Sequence, residues 1–500
     1  MTDSLEAVGD GLRPRRPWLA AVLSFLYPGL GQAYAGRPRL ALILAIPMTL
    51  LILVGVGLVT GAITGLRNNL FASDFLIAVL LINVVLLAWR GIAIADAGLV
   101  PWSRIHGHDR RTSVMVVAAL LVLAVGMHTY IGMVVVQLND TLGQVFSPVG
   151  GLGGPAGGGG GPEDPVEPVN EPEYRWDGTE RINVLLIGTD ATPGRKAVLT
   201  DVILLISIDP VEHTAVMISV PRDTGYVPMP DTDLYADGLF PDKVNGLYTR
   251  AAQDAGTWCP DLSEDDAAAC GVRSLERSIG LYLGVDIHHY ALVDMAGFAE
   301  MIDAMGGVEL CLPGKLVDPE FDGSLENDEP TQPLELPAGC RLYDGIDALA
   351  YARSRKGWIE MNDGTRVPQT DFDRSERQQK VLLAMRRELA NADTLFELPG
   401  LLRAIGRTVT TDFPRDQAGD LSSLLPLVAG DDIERVVLGY PDYVDLPLQP
   451  EVNYLLIPKR DAIRDEMARI FGEDDLTGWY LATDDELPTD ANSAAGAGTP

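Results

Sequence analysis

Two nearby segments hold the side chains best suited to chemistry, Tyr351-Ala352-Arg353-Ser354-Arg355 and Asp371-Phe372-Asp373-Arg374-Ser375-Glu376-Arg377-Gln378-Gln379. Arginine stays charged and presents a planar fork of donors that matches phosphate oxygens two at a time. The whole chain carries 38 basic against 70 acidic side chains, a formal charge of −32, so it has no general affinity for anions and nucleic acid is not an expected partner. A local arginine cluster against that background implies a defined anion. In an extended or helix-exit segment Arg353 and Arg355 point the same way. On a helix over 374–390, Arg374, Arg377 and Gln378 share a face. A phosphate or pyrophosphate clamp is the reading that uses them all. Surface salt bridging is its rival, since it accounts for most single arginines in an acidic chain and stabilises little.

Further polar residues stand where apolar runs end. Gly188-Thr189-Asp190 closes one run, Thr200-Asp201 opens a second, and Pro221-Arg222-Asp223-Thr224 follows a third. Sheet ends are where α/β proteins place binding sites. Asp190 and Asp201 could share a hard divalent cation, Mg²⁺ or Mn²⁺, which prefers oxygen ligands and bridges to phosphate. A turn-capping aspartate is an equally simple reading of Asp190, and a local ion pair is one for Arg222-Asp223. Asn245, before a helical stretch, reads as an N-cap. His288-His289 alternate with Tyr290 and Leu292 as strand residues and have no partner at zinc-ligand spacing.

The runs 182–188, 202–208 and 214–220 are short and mostly apolar, as buried strands are. Helical patterns follow at 244–254, 273–283, 295–305, 344–352 and 374–390, with a strand at 308–310 after Gly306-Gly307. This mixture implies an α/β domain over 181–472 with helices on both faces of a sheet. The Gly/Pro-rich stretch 137–180 reads as a linker, and the acidic stretch 473–500 as a disordered tail.

Before the linker the composition is that of a membrane region. The segments 39–62, 74–95 and 113–136 are each long and apolar enough to span a bilayer as a helix. The stretch 18–36 is interrupted by Pro28-Gly29-Leu30-Gly31 and reads as a hairpin. Arg13, Arg15 and Arg16 in the segment 1–17, together with Arg104, Arg110 and Arg111, mark cytoplasmic sides. Three spans then carry the chain out, so residues after 136 are expected to be extracytoplasmic on a multi-pass cell-membrane protein. Four spans with the N-terminus outside is the competing topology. All four cysteines follow the last span, on the oxidising side. Of the three possible pairings, Cys259–Cys270 and Cys311–Cys340 each close a local polar segment.

Taken in order, NVLLIGTD (183–190), TDVILLISIDP (200–210), MISVPRDT (217–224), DKVNGLY (242–248), GFAEMIDAMGGVEL (297–310), LYDGIDALAYARSR (342–355) and DFDRSERQQKVL (371–382) resemble the LytR–CpsA–Psr family of membrane-anchored phosphotransferases. The resemblance covers about 181–391 and implies an α-β-α fold. It also implies transfer of a glycopolymer from a polyprenyl-pyrophosphate carrier to a peptidoglycan hydroxyl. By the same resemblance Asp190 and Asp201 would hold Mg²⁺ and Arg222, Arg353, Arg355 and Arg374 would grip the pyrophosphate, helped by Gln378. Asp371 would orient those arginines or accept a proton, with Arg222 and Asp223 as further catalytic candidates and Arg377 as a further pyrophosphate-binding one. Two positions depart from the family pattern. Leu199 stands where an arginine is common, and Asp373 replaces a usual glycine, placing a negative charge beside Arg374. Hydrolysis of polyprenyl diphosphates and non-catalytic lipid-diphosphate binding are the alternative functions.

Overall fold

The computed structural model describes residues 16–59, 71–99, 107–147, 174–190, 198–230, 234–235, 237–262, 266–321, 333–389, 394–421, 424, 433–447, 454–473 and 476. It divides into two compact units, Met1–Asn139 and Asp140–Pro500.

In the first unit, helix Pro17–Leu26 is too short to cross a bilayer. It turns at Gly29, whose φ of 103° lies in the left-handed region, and where a Cβ would come within 2.3 Å of the Ala41 carbonyl oxygen. A short helix, Leu30–Tyr34, completes the expected hairpin. Three further helices are long and apolar enough to span, at Pro38–Gly57, Ser73–Leu99 and Arg110–Val145. Among the described residues no fourth helix of that length supports the four-span alternative. Polar groups inside this unit pair with one another: Arg37 Nη1 donates to Asp96 Oδ2 at 2.8 Å, and Gln32 Nε2 to the same oxygen at 3.0 Å.

The last of these helices runs from Gly107 to Val145, so the first residues of the expected 137–180 linker are helical. The far end differs as well, because Trp176 is buried and packs with Ile182, Leu204 and Phe413. An indole that contributes to a core cannot belong to a solvated linker. Residues 148–173 and 477–500, where the rest of the linker and most of the tail were expected, lie outside the described residues.

The second unit is built on a six-stranded mixed sheet. Strands β1 (Ile182–Thr189), β2 (Thr200–Asp209) and β3 (Thr214–Ser219) form an antiparallel meander. Strand β4 (His289–Asp294) lies parallel to β1, with Val409–Thr411 antiparallel to it at one edge and Glu434–Val437 parallel to β3 at the other. Side chains alternate across a strand. Leu185, Ile187, Ile203, Leu205 and Ile218 therefore face one core, with Leu275, Ile279 and Leu283 of helix Ala267–Leu283 and Ile463 and Met467 of helix Arg460–Phe471. Leu186, Val202, Leu204 and Met217 face the other way, toward Leu382 and Leu383 of helix Asp371–Leu389. This is the expected α-β-α layering, arising because both faces of the sheet are apolar. A third core gathers around helix Gly345–Arg353 and a small four-stranded sheet. Disulfides join Cys259 to Cys270 and Cys311 to Cys340, the second directly across paired strands.

Candidate functional site

The site starts from an irregularity in the sheet. β1 and β2 pair evenly from Ile182↔Ile208 to Gly188↔Val202, then slip so that Thr189 faces Thr200. Asp201 is the extra residue on β2, and a bulge of this kind re-aims a side chain at a strand end. Gly188 is needed beside it, since a Cβ there would lie 2.8 Å from the Val202 side chain.

Two elements converge on Asp201. Arg222, in the turn after β3, donates from Nη1 to Asp201 Oδ1 at 2.6 Å, and its Nε lies 3.8 Å from Asp371 Oδ2. Arg374, in the first turn of helix Asp371–Leu389, has Nη1 3.5 Å from Asp371 Oδ1 and 4.0 Å from Asp201 Oδ1. Its Nη2 donates to the Asp201 carbonyl at 3.1 Å, as Gln378 Nε2 does at 3.5 Å. Asp223 pairs with the Lys243 ammonium at 2.8 Å. Arg222 Nε, Arg374 Nε and Asp371 Oδ2 are buried without hydrogen-bond partners, and such groups are costly unless a bound polar molecule satisfies them.

The carboxylates are tuned apart. Burial alone would raise Asp201, but Arg374, Arg222 and Arg353 together outweigh it and hold its pKa below the ordinary carboxylate range. For Asp371 burial wins over Arg374 and Arg222, assisted by the charges of Asp223 and Asp201, and its pKa is raised. Two neighbouring acids pushed in opposite directions suit different roles. Burial lowers the pKa of Arg374.

The remaining residues divide. Arg353, at the end of helix Gly345–Arg353, lines a cavity with Asp201, Arg374 and Gln378, whereas Arg355 is exposed and does not line it. Arg377 is a correction to the expected clamp. It is 3% exposed and donates to the carbonyls of Tyr351 (2.9 Å) and Ser354 and to Gln369 Oε1 (2.6 Å). Its donors hold the end of the Arg353 helix from beneath. Asp373 also differs from expectation, because its Oδ2 accepts from the Thr370 N–H and hydroxyl, each at 2.7 Å. Reciprocally, the Asp373 N–H donates to Thr370 Oγ1 at 3.4 Å. This is a capping box that keeps the charge at the helix start. Asn245 is not an N-cap either: it sits buried within the 3-10 turn Val244–Gly246.

Sequence reasoning missed Asp318. It is 2% exposed and its Oδ2 accepts from the Ser354 hydroxyl (2.8 Å) and the N–H groups of Arg355 (3.0 Å) and Lys356 (3.2 Å). No local motif could have shown this, because the bonds cross more than thirty positions of chain.

The cavity is about 250 Å³. Leu186, Val202 and Val293 of the sheet form one wall, and Phe298, Leu349 and Val381 of three helices the other. It is apolar except at the end closed by Asp201, Arg353, Arg374 and Gln378. Leu275, Ile279 and Leu283 lie on the opposite face of the sheet as ordinary core.

Asp190 is 8% exposed and its Oδ1 accepts from the Leu199 N–H at 2.6 Å, closing the β1–β2 connection. Among the described residues no group of three or more His, Cys, Asp or Glu side chains could hold a metal by itself. Mg²⁺ commonly uses one or two protein carboxylates and completes its shell with substrate phosphate and water. Asp190 and Asp201 are the two carboxylates at this end of the β1–β2 pair, and Asp201 Oδ1 is already engaged by Arg222.

Several proteins are similar to this chain in sequence. A TagU teichoic acid transferase of Halalkalibacterium halodurans is 26% identical over 291 residues, covering 58% of this chain and 77% of the relative. A TagU of Oceanobacillus iheyensis is 30% identical over 251 residues, 50% of this chain and 64% of its own length. The cell wall biosynthesis protein LcpA of Corynebacterium glutamicum is 29% identical over 231 residues, 45% of this chain but 39% of its own length. The crystal structure of TagV from B. subtilis superimposes with a TM-score of 0.41 at 21% identity, over 58% of this chain and 97% of that one. The LytR_cpsA_psr family model matches residues 161–451, more than half of the sequence. The chain belongs to the LytR–CpsA–Psr family.

Proposed function

We propose that this protein transfers a glycopolymer from a polyprenyl-pyrophosphate carrier to a hydroxyl of peptidoglycan. The observation that carries the reading is an apolar cavity with one end closed by arginines and aspartates, since a lipid diphosphate has the same division. The lipid tail would enter between the sheet and the helix Asp371–Leu389, leaving the diphosphate against Arg222, Arg353 and Arg374. The three candidate spans anchor the protein in the cell membrane. With arginines marking the cytoplasmic loops, the domain faces the outside, where the acceptor is.

In the transfer, the acceptor oxygen bonds to the phosphorus distal to the lipid. The P–O bond to the lipid-side phosphate breaks, and polyprenyl phosphate leaves. Arg222 and Arg374 neutralise charge on the oxygens as the bond breaks. The acceptor proton goes to Asp371, whose raised pKa suits a base better than the strongly paired Asp201. Asp223 fixes Lys243 at the rim. Mg²⁺ or Mn²⁺ held by Asp190 and Asp201 would supply further neutralisation of the diphosphate.

The test uses full-length protein in nanodiscs with a labelled polyprenyl-diphosphate glycan, with and without peptidoglycan oligomers and Mg²⁺. Label appearing on peptidoglycan, with polyprenyl phosphate released, is the expected result. Phosphate release without transfer would assign a hydrolase, and binding without turnover a regulatory module.

A further inference from the structure

The loop that carries Arg222 and Asp223 has a neighbour beyond the family-matched stretch. Thr224 bridges Leu456 in parallel, with the Leu456 N–H donating to the Asp223 carbonyl (2.9 Å) and the Gly225 N–H to the Leu456 carbonyl (3.0 Å). Leu455 is 3% exposed and packs with Tyr226 and Leu239, close enough to Gly225 that a Cβ there would meet it at 3.2 Å. The backbone at 455–456 is therefore pinned to the loop. Tyr454, immediately before it, stands outward at 37% exposure.

This ring has a defined setting. The Lys243 ammonium that pairs with Asp223 at 2.8 Å also lies 5.6 Å from the Tyr454 ring centroid, a cation–π brace. Burial first, then the charges of Asp223 and Asp371, raise the pKa of the phenol. Tyr454, Lys243 and Asp223 do not line the apolar cavity. A roughly in-line displacement at phosphorus brings the nucleophile in opposite the leaving group. The lipid phosphate would leave along the cavity, so the acceptor must approach from outside it, within reach of Asp371. An exposed, fixed aromatic ring there offers an apolar face to the C–H face of a pyranose and a polar tip to its hydroxyls.

We propose that Tyr454, braced by Lys243, is the platform on which the acceptor saccharide stacks, an inference that rests on the transferase reading above. The ring would bind and orient the sugar without taking part in bond making.

The test measures binding of a soluble peptidoglycan disaccharide-peptide to full-length protein in nanodiscs, alongside steady-state transfer. Tyr454→Ala is expected to weaken fragment binding and raise the acceptor KM at least fivefold, with the donor KM unchanged. Tyr454→Phe keeps the ring and should stay within about twofold of wild type. Arg353→Ala should do the reverse, raising the donor KM alone. An unchanged fragment affinity in Tyr454→Ala with the same Tm as wild type would overturn the proposal. So would a raised donor KM, which would seat the donor's own sugar on the ring. If wild type transfers no polymer yet binds the fragment in a Tyr454-dependent way, the transferase reading fails and the saccharide platform stands.

Discussion

Arg374 and Arg377 lie one helical turn apart and are equally buried, but their partners differ. Arg374 meets carboxylates at the charged end of the cavity, whereas Arg377 meets backbone carbonyls beneath the Arg353 helix. Hydrogen bonds to a charged donor contribute about 1.5–3 kcal/mol each. Arg377→Ala removes three such bonds and should lower the stability of the domain by about 4 kcal/mol or more, read as a shift in its denaturant midpoint. Arg353→Ala should reduce kcat/KM by roughly 10- to 100-fold through a raised donor KM, the loss of one such bond to the diphosphate. Asp371 makes a separate prediction about pH. A base works deprotonated, so kcat/KM should fall as pH drops through a pKa above the ordinary carboxylate range, where burial puts Asp371. Asp371→Asn should abolish that limb, and a wild-type profile flat down to pH 4 would remove Asp371 as the base.

Elements set the positions of these groups. The bulge at Asp201 turns one carboxylate out of the strand pattern, and the capping box at Thr370 fixes the start of the helix that brings Asp371 and Arg374. Loss of such a cap costs about 1 kcal/mol. Asp373→Ala should lower the stability of the domain by that increment, seen as a lower Tm, without raising the donor KM, which separates a capping role from repulsion of the anion. The apolar wall is also an element property, because helix Gly345–Arg353 presents both Leu349 and Ala352 to the cavity. Ala352→Trp should fill that space and raise the KM for long-chain donors about tenfold while sparing short-chain ones, as competition assays with matched diphosphates would show.

Across the second unit, the two disulfides and the three cores make the domain stable apart from its chemistry. Glu276, on the helix Ala267–Leu283, has its pKa raised to about 8, first by burial and then by the charge of Asp412. The native state holds this proton more tightly than the unfolded chain, whose carboxyl titrates near 4.5. Linkage then makes its contribution complete below that value and lost as pH rises toward about 8. The Tm of the domain should fall between pH 5 and 9, and Glu276→Gln should flatten the fall in thermal melts.

The sequence by itself determined the residue set and the order of elements. Strand periodicity, glycine stops and apolar runs are local properties, so β1 to β3, the helices over 295–304 and 345–353 and the three long apolar helices were legible in it. The cysteine pairings were legible for the same reason, each closing a short segment. Tertiary structure decided which of those residues do which work. Arg377 became a support and Arg355 stayed at the surface, although both had been placed in the clamp, and Asp373, read as a negative charge beside Arg374, turned back into a cap. Asp318 and Tyr454 entered from segments far along the chain. The physical reason is that a donor's role depends on which acceptors it meets once water is excluded. Long-range packing creates those meetings, and the sequence does not record them at any one position.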